Sequence, residues 1–251
     1  MKLVAATAAL VVLSCAGCSF ESSDEVVVYS ALDREYSEPI LERFTQESAI
    51  RTLPKYDLES AKTVGLTSAI VAEARRPRCD VFWNNEILNT LRLKEQGLLE
   101  VYHSPLAESY PQAFRDPDGQ WHGFAARARI LIVNRDVVPE DQRPTSILDL
   151  LDPKWKGKIG IAKPLFGTTA THAACLFAAL GDDNAKDFFA RLKANGVKIM
   201  SGNKQVALAA STGEIAFGLT DTDDALGEID KARPVEIVYP DRGAEEMGTL
   251  F

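Results

Sequence analysis

The sequence predicts an α/β protein built on parallel sheets. Three observations carry this. Short apolar runs that end in hydroxyls or amides alternate with segments of helical spacing, the pattern of strands buried on both faces by flanking helices. The strand ends are followed by polar exits that suit ligand contact. One stretch, residues 152–180, runs from a loop through an apolar strand and a Gly-Thr-Thr turn into an Ala- and Leu-rich helix.

In chain order, Val26-Val27-Val28-Tyr29-Ser30 reads as the first strand, and a helix is expected to open at Ser37-Glu38-Pro39, with Ser37 as cap. Residues 51–56 are a second strand, 59–74 a helix, 79–83 a third strand and 88–96 a helix stopped by Gly97. The three strand exits carry Ser30 and Asp33, then Tyr56, Asp57 and Thr63, then Asn84, Asn85 and Glu86. Residues 124–134 read as one long strand with Arg127 and Arg129 on the same face. Either both are solvated, or one guanidinium points into a cleft and holds an anion through two bonds.

In the stretch 152–180, Thr168 and Thr169 stand where a strand becomes a helix, so backbone N–H groups and the positive helix end converge there. They are N-caps or they face an anion. His172, inside that helix, is expected to be packed. Beyond it, helices and strands alternate to a strand at 215–219 that runs into Thr220-Asp221-Thr222-Asp223-Asp224, and a last strand at 235–239. The acidic run is a helix start or a set of ligands.

The 251 residues, 46% of them hydrophobic, suffice for one large core or two smaller ones. A net charge of −8 without basic clusters argues against a nucleic-acid partner. A charged start, an apolar run over residues 3–13 and Ala16-Gly17-Cys18 resemble a bacterial lipoprotein signal. Cys18 is the expected lipidation site, with Cys15 as the alternative and an ordinary cleaved signal as the other possibility. Residues 19–25 then form a tether. Cys79 and Cys175 lack metal-ligand spacing and are expected as buried free thiols.

Several stretches together carry a family resemblance: the leader, VVVYSALDREYSEPILERFTQESAI, CDVFWNNE, FRDPDGQWHGFAARARILIVN and LLDPKWKGKIGIAKP. They resemble the extracellular solute-binding proteins of bacterial ABC importers, in the ferric-ion-binding branch of the type II periplasmic binding fold. The resemblance implies two lobes, each a mainly parallel sheet flanked by helices, closing on a ligand. It divides the chain into a signal (1–18), a first lobe (25–124), a hinge strand (125–134), a second lobe (135–239) and a return crossing (240–251). It also implies that the first lobe continues past residue 251 in relatives, so that either the chain is a fragment or its first lobe lacks a helical layer.

Members of that branch hold iron with adjacent tyrosines after the strand that corresponds to residues 215–219. This sequence has Thr220-Asp221-Thr222 there. The resemblance thus leaves two solute classes. One is Fe(III) with a synergistic anion, held by Glu86, Asp221 and Asp223. The other is a small organic anion (phosphonate, phosphate ester or carboxylate) held by Arg127, Thr168 and Thr169, with Asp221 or Asp223 taking an amine. Ser30, Asp33, Thr63 and Asn85 complete the expected ligand-binding set. No resident cofactor is expected. The implied partner is an inner-membrane permease, and the implied setting is an extracytoplasmic, lipid-anchored monomer. A hydrolase using Asp221 and His172 is the alternative from another class, although no G-x-S-x-G or HExxH motif is present.

Overall fold

A computed structural model describes residues 24–57 and 63–241. The expected signal, the lipidation cysteines, most of the tether and nearly all of the return crossing lie outside these residues, while Glu25, expected at the end of the tether, opens the first strand.

The first sheet is three-stranded and wholly parallel, in the order β2-β1-β3, from β1 (Glu25–Ser30), β2 (Arg51–Tyr56) and β3 (Val81–Trp83). Helices α1 (Arg34–Ser48), α2 (Val64–Ala72) and α3 (Ile87–Glu95) flank it. Its core is small: Tyr29, Ala31 and Leu66 are buried, with Val27, Ile70 and Phe82 packed against them.

The second sheet is five-stranded, in the order β6-β5-β7-β4-β8. Its strands are β4 (Arg129–Asn134), β5 (Ile159–Ala162), β6 (Lys198–Met200), β7 (Phe217–Asp221) and β8 (Val235–Val238). Around it lie α4 (Gly167–Leu180), α5 (Asp182–Ala194), α6 (Asn203–Ser211) and α7 (Thr222–Ile229). β4 explains how the core is divided. Leu131 and Val133 enter one apolar cluster, with Trp155, Phe188 and Phe217, while Ile130 and Ile132 enter another with Val206 and Ala210. All four β4 side chains are fully buried, each contributing roughly 1.5–3 kcal/mol relative to exposure.

Gly218 permits this packing on the α6 side. A Cβ there would lie 2.6 Å from both the Gly160 carbonyl oxygen and Cγ1 of Val206, so only glycine lets β5, β7 and α6 approach so closely.

Four expectations need correction. The second sheet is mixed rather than mainly parallel: β4 runs antiparallel to both β7 and β8, while β5 pairs in parallel with β6 and β7. The strand expected over 124–134 is only Arg129–Asn134, because its partner β7 ends at Asp221 and α7 begins at once. A last pair of bonds joins Ala128 to Thr222, and before it the chain has no ladder to join. Helix α1 starts at Arg34, not Ser37, and contains Pro39. The Ser37 hydroxyl donates back to the Asp33 carbonyl at 3.0 Å instead of capping, and Pro39, which lacks an N–H, falls on an exposed face of the helix. The strand expected at 215–219 lies two residues later, since Thr220 and Asp221 both find buried partners.

Cys79 and Cys175 are free and half-buried rather than fully buried. Burial pushes the Cys79 thiol up to about 11, which keeps it protonated.

Candidate functional site

The strand register builds the centre of the site. β4 and β7 pair so that Arg129 stands opposite Asp221 at the strand ends. Arg129 Nη1 donates to Asp221 Oδ1 at 2.7 Å, and the residues are 3% and 1% exposed. The other oxygen, Oδ2, accepts from Thr168 Oγ1 at 2.6 Å and Asn203 Nδ2 at 2.9 Å, while Arg127 Nη1 lies 3.6 Å away. Burial on its own would raise the Asp221 pKa. The charges of Arg129 and Arg127 and the Thr168 bond outweigh it and hold the carboxyl below its ordinary value.

The two arginines of the FAARARILIVN stretch are therefore neither solvated nor on one strand face, since Arg127 precedes the strand. They converge on the chain's own carboxylates. Arg127 Nη1 donates to Asp223 Oδ2 at 2.7 Å, and its Nη2 donates to the Asn85 carbonyl at 3.1 Å. It thus ties the second sheet's exit to the first sheet's exit. Burial would lower its pKa, but Asp221 and Asp223 raise it, so it stays charged.

Thr168 and Thr169 are not caps. Phe166 occupies the N-cap position and Gly167 opens α4 at φ +55°, so the threonines fall in the first turn with their hydroxyls aimed at the cluster. Thr169 Oγ1 donates to Asn203 Oδ1 at 3.1 Å. Asn203 is the residue that sequence reasoning missed. Its Oδ1 also accepts from Arg129 at 3.0 Å, and its Nδ2 serves Thr168 and Asp221. The available signal was the Gly202-Asn203 exit after β6, which repeats the polar-exit pattern of the first sheet.

Two cavities adjoin this cluster. A small one of about 40 Å³ is lined by Arg127, Thr168, Thr169, Asn203 and Asp221, with Asn85 across from them. A larger one of about 330 Å³ lies between the first sheet's exits and the start of α6, and is lined by Asp33, Tyr56, Asp57, Lys204 and Gln205 among others. Lys204 Nζ meets Glu35 Oε1 at 2.7 Å, a second tie between the two halves.

The remaining expected residues divide. Asn85 and Asp33 line cavities, whereas Ser30 and Thr63 line neither. Ser30 is fully buried, and buried Thr63 donates to Asn85 Oδ1 at 3.2 Å, positioning that residue from a backbone at φ +74°. Of the expected metal ligands, Asp221 and Asp223 come together with Asp224, each offering an oxygen within 4.8 Å of the others. Asp223 and Asp224 are also the first turn of α7, where acidic side chains favour the helix dipole. Glu86 is not in that group. It is the N-cap of α3, accepting from Leu88 N at 2.7 Å and Asn89 N at 3.0 Å, and its Oε2 takes the Thr171 hydroxyl at 3.0 Å.

His172 is 3% exposed behind the cluster. Burial pushes its pKa down to about 3, helped by Arg129 and opposed by Asp221, so it is neutral and packed.

Two sheets whose polar exits face each other across ligand-sized space define a binding cleft of the type II periplasmic kind. Residues 89–249 match the family described as "Bacterial extracellular solute-binding protein", and the chain belongs to it. Membership of a solute-binding family answers the hydrolase alternative. Among curated relatives, "Iron uptake protein A1" of Synechocystis sp. is 28% identical over 90% of this chain and 61% of its own length. "Major ferric iron-binding protein" of Neisseria meningitidis is 26% identical over 78% of this chain and 58% of its own length. The chain thus spans about three-fifths of the length of these curated relatives. Iron-bound HitA from Pseudomonas aeruginosa shares the fold, with a TM-score of 0.79 at 24% identity over 90% of this chain and 72% of that one. The periplasmic binding protein AfuA from Actinobacillus pleuropneumoniae, with exogenous fructose-6-phosphate bound, gives 0.75 at 26% identity over 88% and 71%.

Proposed function

We propose that this chain captures a small solute outside the cytoplasmic membrane and delivers it to the permease of an ABC importer, through affinity and closure rather than bond chemistry. The observation that carries the reading is Arg127, which donates to Asp223 on one side of the cleft and to the Asn85 carbonyl on the other. A solute that competes for this guanidinium is felt by both halves at once.

Fe(III), with an anion completing its shell, is the solute class suggested by relatives named for ferric iron. Asp221, Asp223 and Asp224 offer hard oxygen donors suited to such an ion. The permease partner, the lipid anchor and the monomeric state belong to the same proposal, and a relative named as an Fe(3+)-binding periplasmic protein supports an extracytoplasmic setting.

A small organic anion is the second reading, and a specific observation favours it. Asp221 is already engaged by Arg129, Thr168 and Asn203, with Arg127 beside it. Arg127 and Arg129 offset the charges of Asp223 and Asp221, which weakens the cluster's pull on a trivalent cation. The residues directly after β7, Thr222-Asp223-Asp224, include no tyrosine to supply phenolates.

Thermal melting of the purified chain tests both. A ligand that binds only the folded state raises the midpoint with its concentration. A rise with Fe(III) and citrate, reduced in Asp223→Asn, supports the metal class. A rise with an alkyl phosphonate or sugar phosphate, reduced in Arg127→Ala, supports the anion class. No rise with either overturns the proposal.

A further inference from the structure

We infer that Asp223 is a positioning residue that restrains the small pocket: its carboxylate competes for the Arg127 guanidinium, so an oxyanion is retained only where it draws Arg127 away from Asp223. The inference rests on the organic-anion reading and names the residue that limits affinity and selectivity in it.

The aspartates of the cluster are held in unlike ways. Asp221 is 1% exposed and accepts from Arg129, Thr168 and Asn203, so it is built into the end of the sheet. Asp223 Oδ2 accepts from Arg127 Nη1 at 2.7 Å, and its side chain is 31% exposed. Its Oδ1 is buried with no hydrogen-bond partner among the described residues. Asp223 also stands in the first turn of α7, where the helix N-terminus stabilises its charge whether or not Arg127 is beside it. Such a carboxylate gives up a guanidinium far more cheaply than Asp221 does.

Arg127 is the shared group. It lines the small pocket and Asp223 does not, so Asp223 acts on the pocket through the guanidinium. Arg127 Nη2 holds the Asn85 carbonyl at 3.1 Å, which keeps the side chain at the pocket while Nη1 changes partner.

Charge gives the direction of the effect. Arg127 and Arg129 face Asp221, Asp223 and Asp224, which leaves the cluster formally one negative charge in excess. Lys163 lines the pocket too, but from an exposed position where water and salt screen it. Neutralising Asp223 removes the excess and releases Arg127 Nη1 in one step. An oxyanion in the pocket then meets a guanidinium with a charged donor to give. Loss of a residue that merely supports a site weakens binding, whereas loss of a competitor tightens it.

The experiment follows melting of the full chain against inorganic phosphate and methylphosphonate in the parent, Asp223→Asn, Asp223→Ala and Asp230→Asn. The last removes one negative charge at the far end of α7 and controls for net charge. Both Asp223 variants are expected to half-saturate at about tenfold lower anion concentration than the parent, with Asp230→Asn unchanged. Adding Asp223→Asn to Arg127→Ala should improve binding about twofold at most, since the competitor then has nothing to compete for. A full gain without Arg127, or one that Asp230→Asn reproduces, overturns the inference, because the effect is then one of general charge. Unchanged or weaker anion binding in both Asp223 variants also overturns it and leaves the anion reading standing. If neither anion shifts the midpoint in any of these chains, the anion reading itself fails, and the inference with it.

Discussion

Arg129 and Asp221 face each other across the antiparallel ladder of β4 and β7, and the arginine's Nη1 donates to the aspartate's Oδ1 at 2.7 Å with both side chains buried. The register of two strands thus creates an ion pair at the end of the sheet that faces the cleft.

Removing one member of such a pair strands the other. Asp221→Ala is expected to cost about 3–5 kcal/mol, measured as a lower midpoint in guanidinium denaturation at neutral pH, because Arg129 would keep its charge in a dry site. A loss below about 1 kcal/mol would mean that its remaining donors, Nε and Nη2, find acceptors enough. The same argument makes Asp221→Ala a poor reporter of metal binding. Lost binding and lost folding would coincide, and Asp223→Asn separates them.

Arg127 should behave differently. It is partly exposed and bridges Asp223 and the Asn85 carbonyl with two separate nitrogens. Arg127→Lys keeps the charge but not the fork. The expected outcome is a stability change within about 1 kcal/mol, alongside about a tenfold loss in affinity for an organic phosphonate, read from the concentration dependence of melting. A stability loss as large as that of Asp221→Ala would make Arg127 a structural member of the cluster instead.

The first sheet was legible in the sequence because its strands are short, apolar and parallel, each followed by a helix, so periodicity and exits coincide. The second sheet was less so. The direction of β4 depends on pairing with β7 and β8, which lie roughly ninety and a hundred residues away in sequence, and no local pattern encodes an antiparallel partner at that distance. The site shows the same split. Thr168, Thr169, Arg127 and Asp221 stood out because hydroxyls, paired arginines and an acidic run are unusual at strand ends. Asn203 did not, since one amide after a glycine looks like an ordinary helix start until four partners surround it. Glu86 was singled out for its charge, but its neighbours Leu88 and Asn89 use that charge as a cap.

His172 sets an acid-side dependence. Its ordinary pKa of 6.5 falls to about 3 in the folded chain, so between these values the unfolded chain binds a proton that the folded one refuses. Stability contributed by the neutral ring is complete above pH 6.5 and is lost as pH falls toward 3, at about 1.4 kcal/mol per unit through the middle of the window. The depressed Asp221 acts lower, where its unfolded counterpart protonates, near 3.8 and below. Between pH 6 and pH 5, roughly the upper part of the histidine window, His172→Phe should therefore flatten the pH dependence of the denaturation midpoint by about one proton. An unchanged slope would show that His172 accepts a proton in the folded state.

Asn203 supplies another test, since it touches Arg129, Thr168, Thr169 and Asp221 with one amide. Asn203→Ala leaves Thr169 without its acceptor and Asp221 Oδ2 with one donor fewer, at an expected cost of about 1–3 kcal/mol in denaturant midpoint. Asn203→Asp keeps the size but adds a negative charge beside Asp221. It should destabilise at neutral pH and recover as the pair takes up a proton in acid. A neutral effect of Asn203→Asp on stability at pH 7 would show that the two arginines have charge to spare for a carboxylate beyond Asp221 and Asp223.

Glu86 separates the metal reading from the structural one. Its carboxylate already holds two α3 backbone N–H groups and the Thr171 hydroxyl from the opposite side of the cleft. Glu86→Ala should cost about 0.5–2 kcal/mol as a lost cap. Glu86→Gln retains an acceptor for the helix end and should cost less. Because Glu86 lies outside the group formed by Asp221, Asp223 and Asp224, the Fe(III)-dependent rise in melting midpoint, where one is seen, should survive Glu86→Gln and weaken in Asp223→Asn. The reverse order would mean that iron draws Glu86 away from α3, trading a helix cap and the Thr171 bond for a metal bond. Closure of the cleft and fraying of that helix would then be one event, detectable as faster amide exchange at Leu88 and Asn89 in the iron-loaded chain than in the free one.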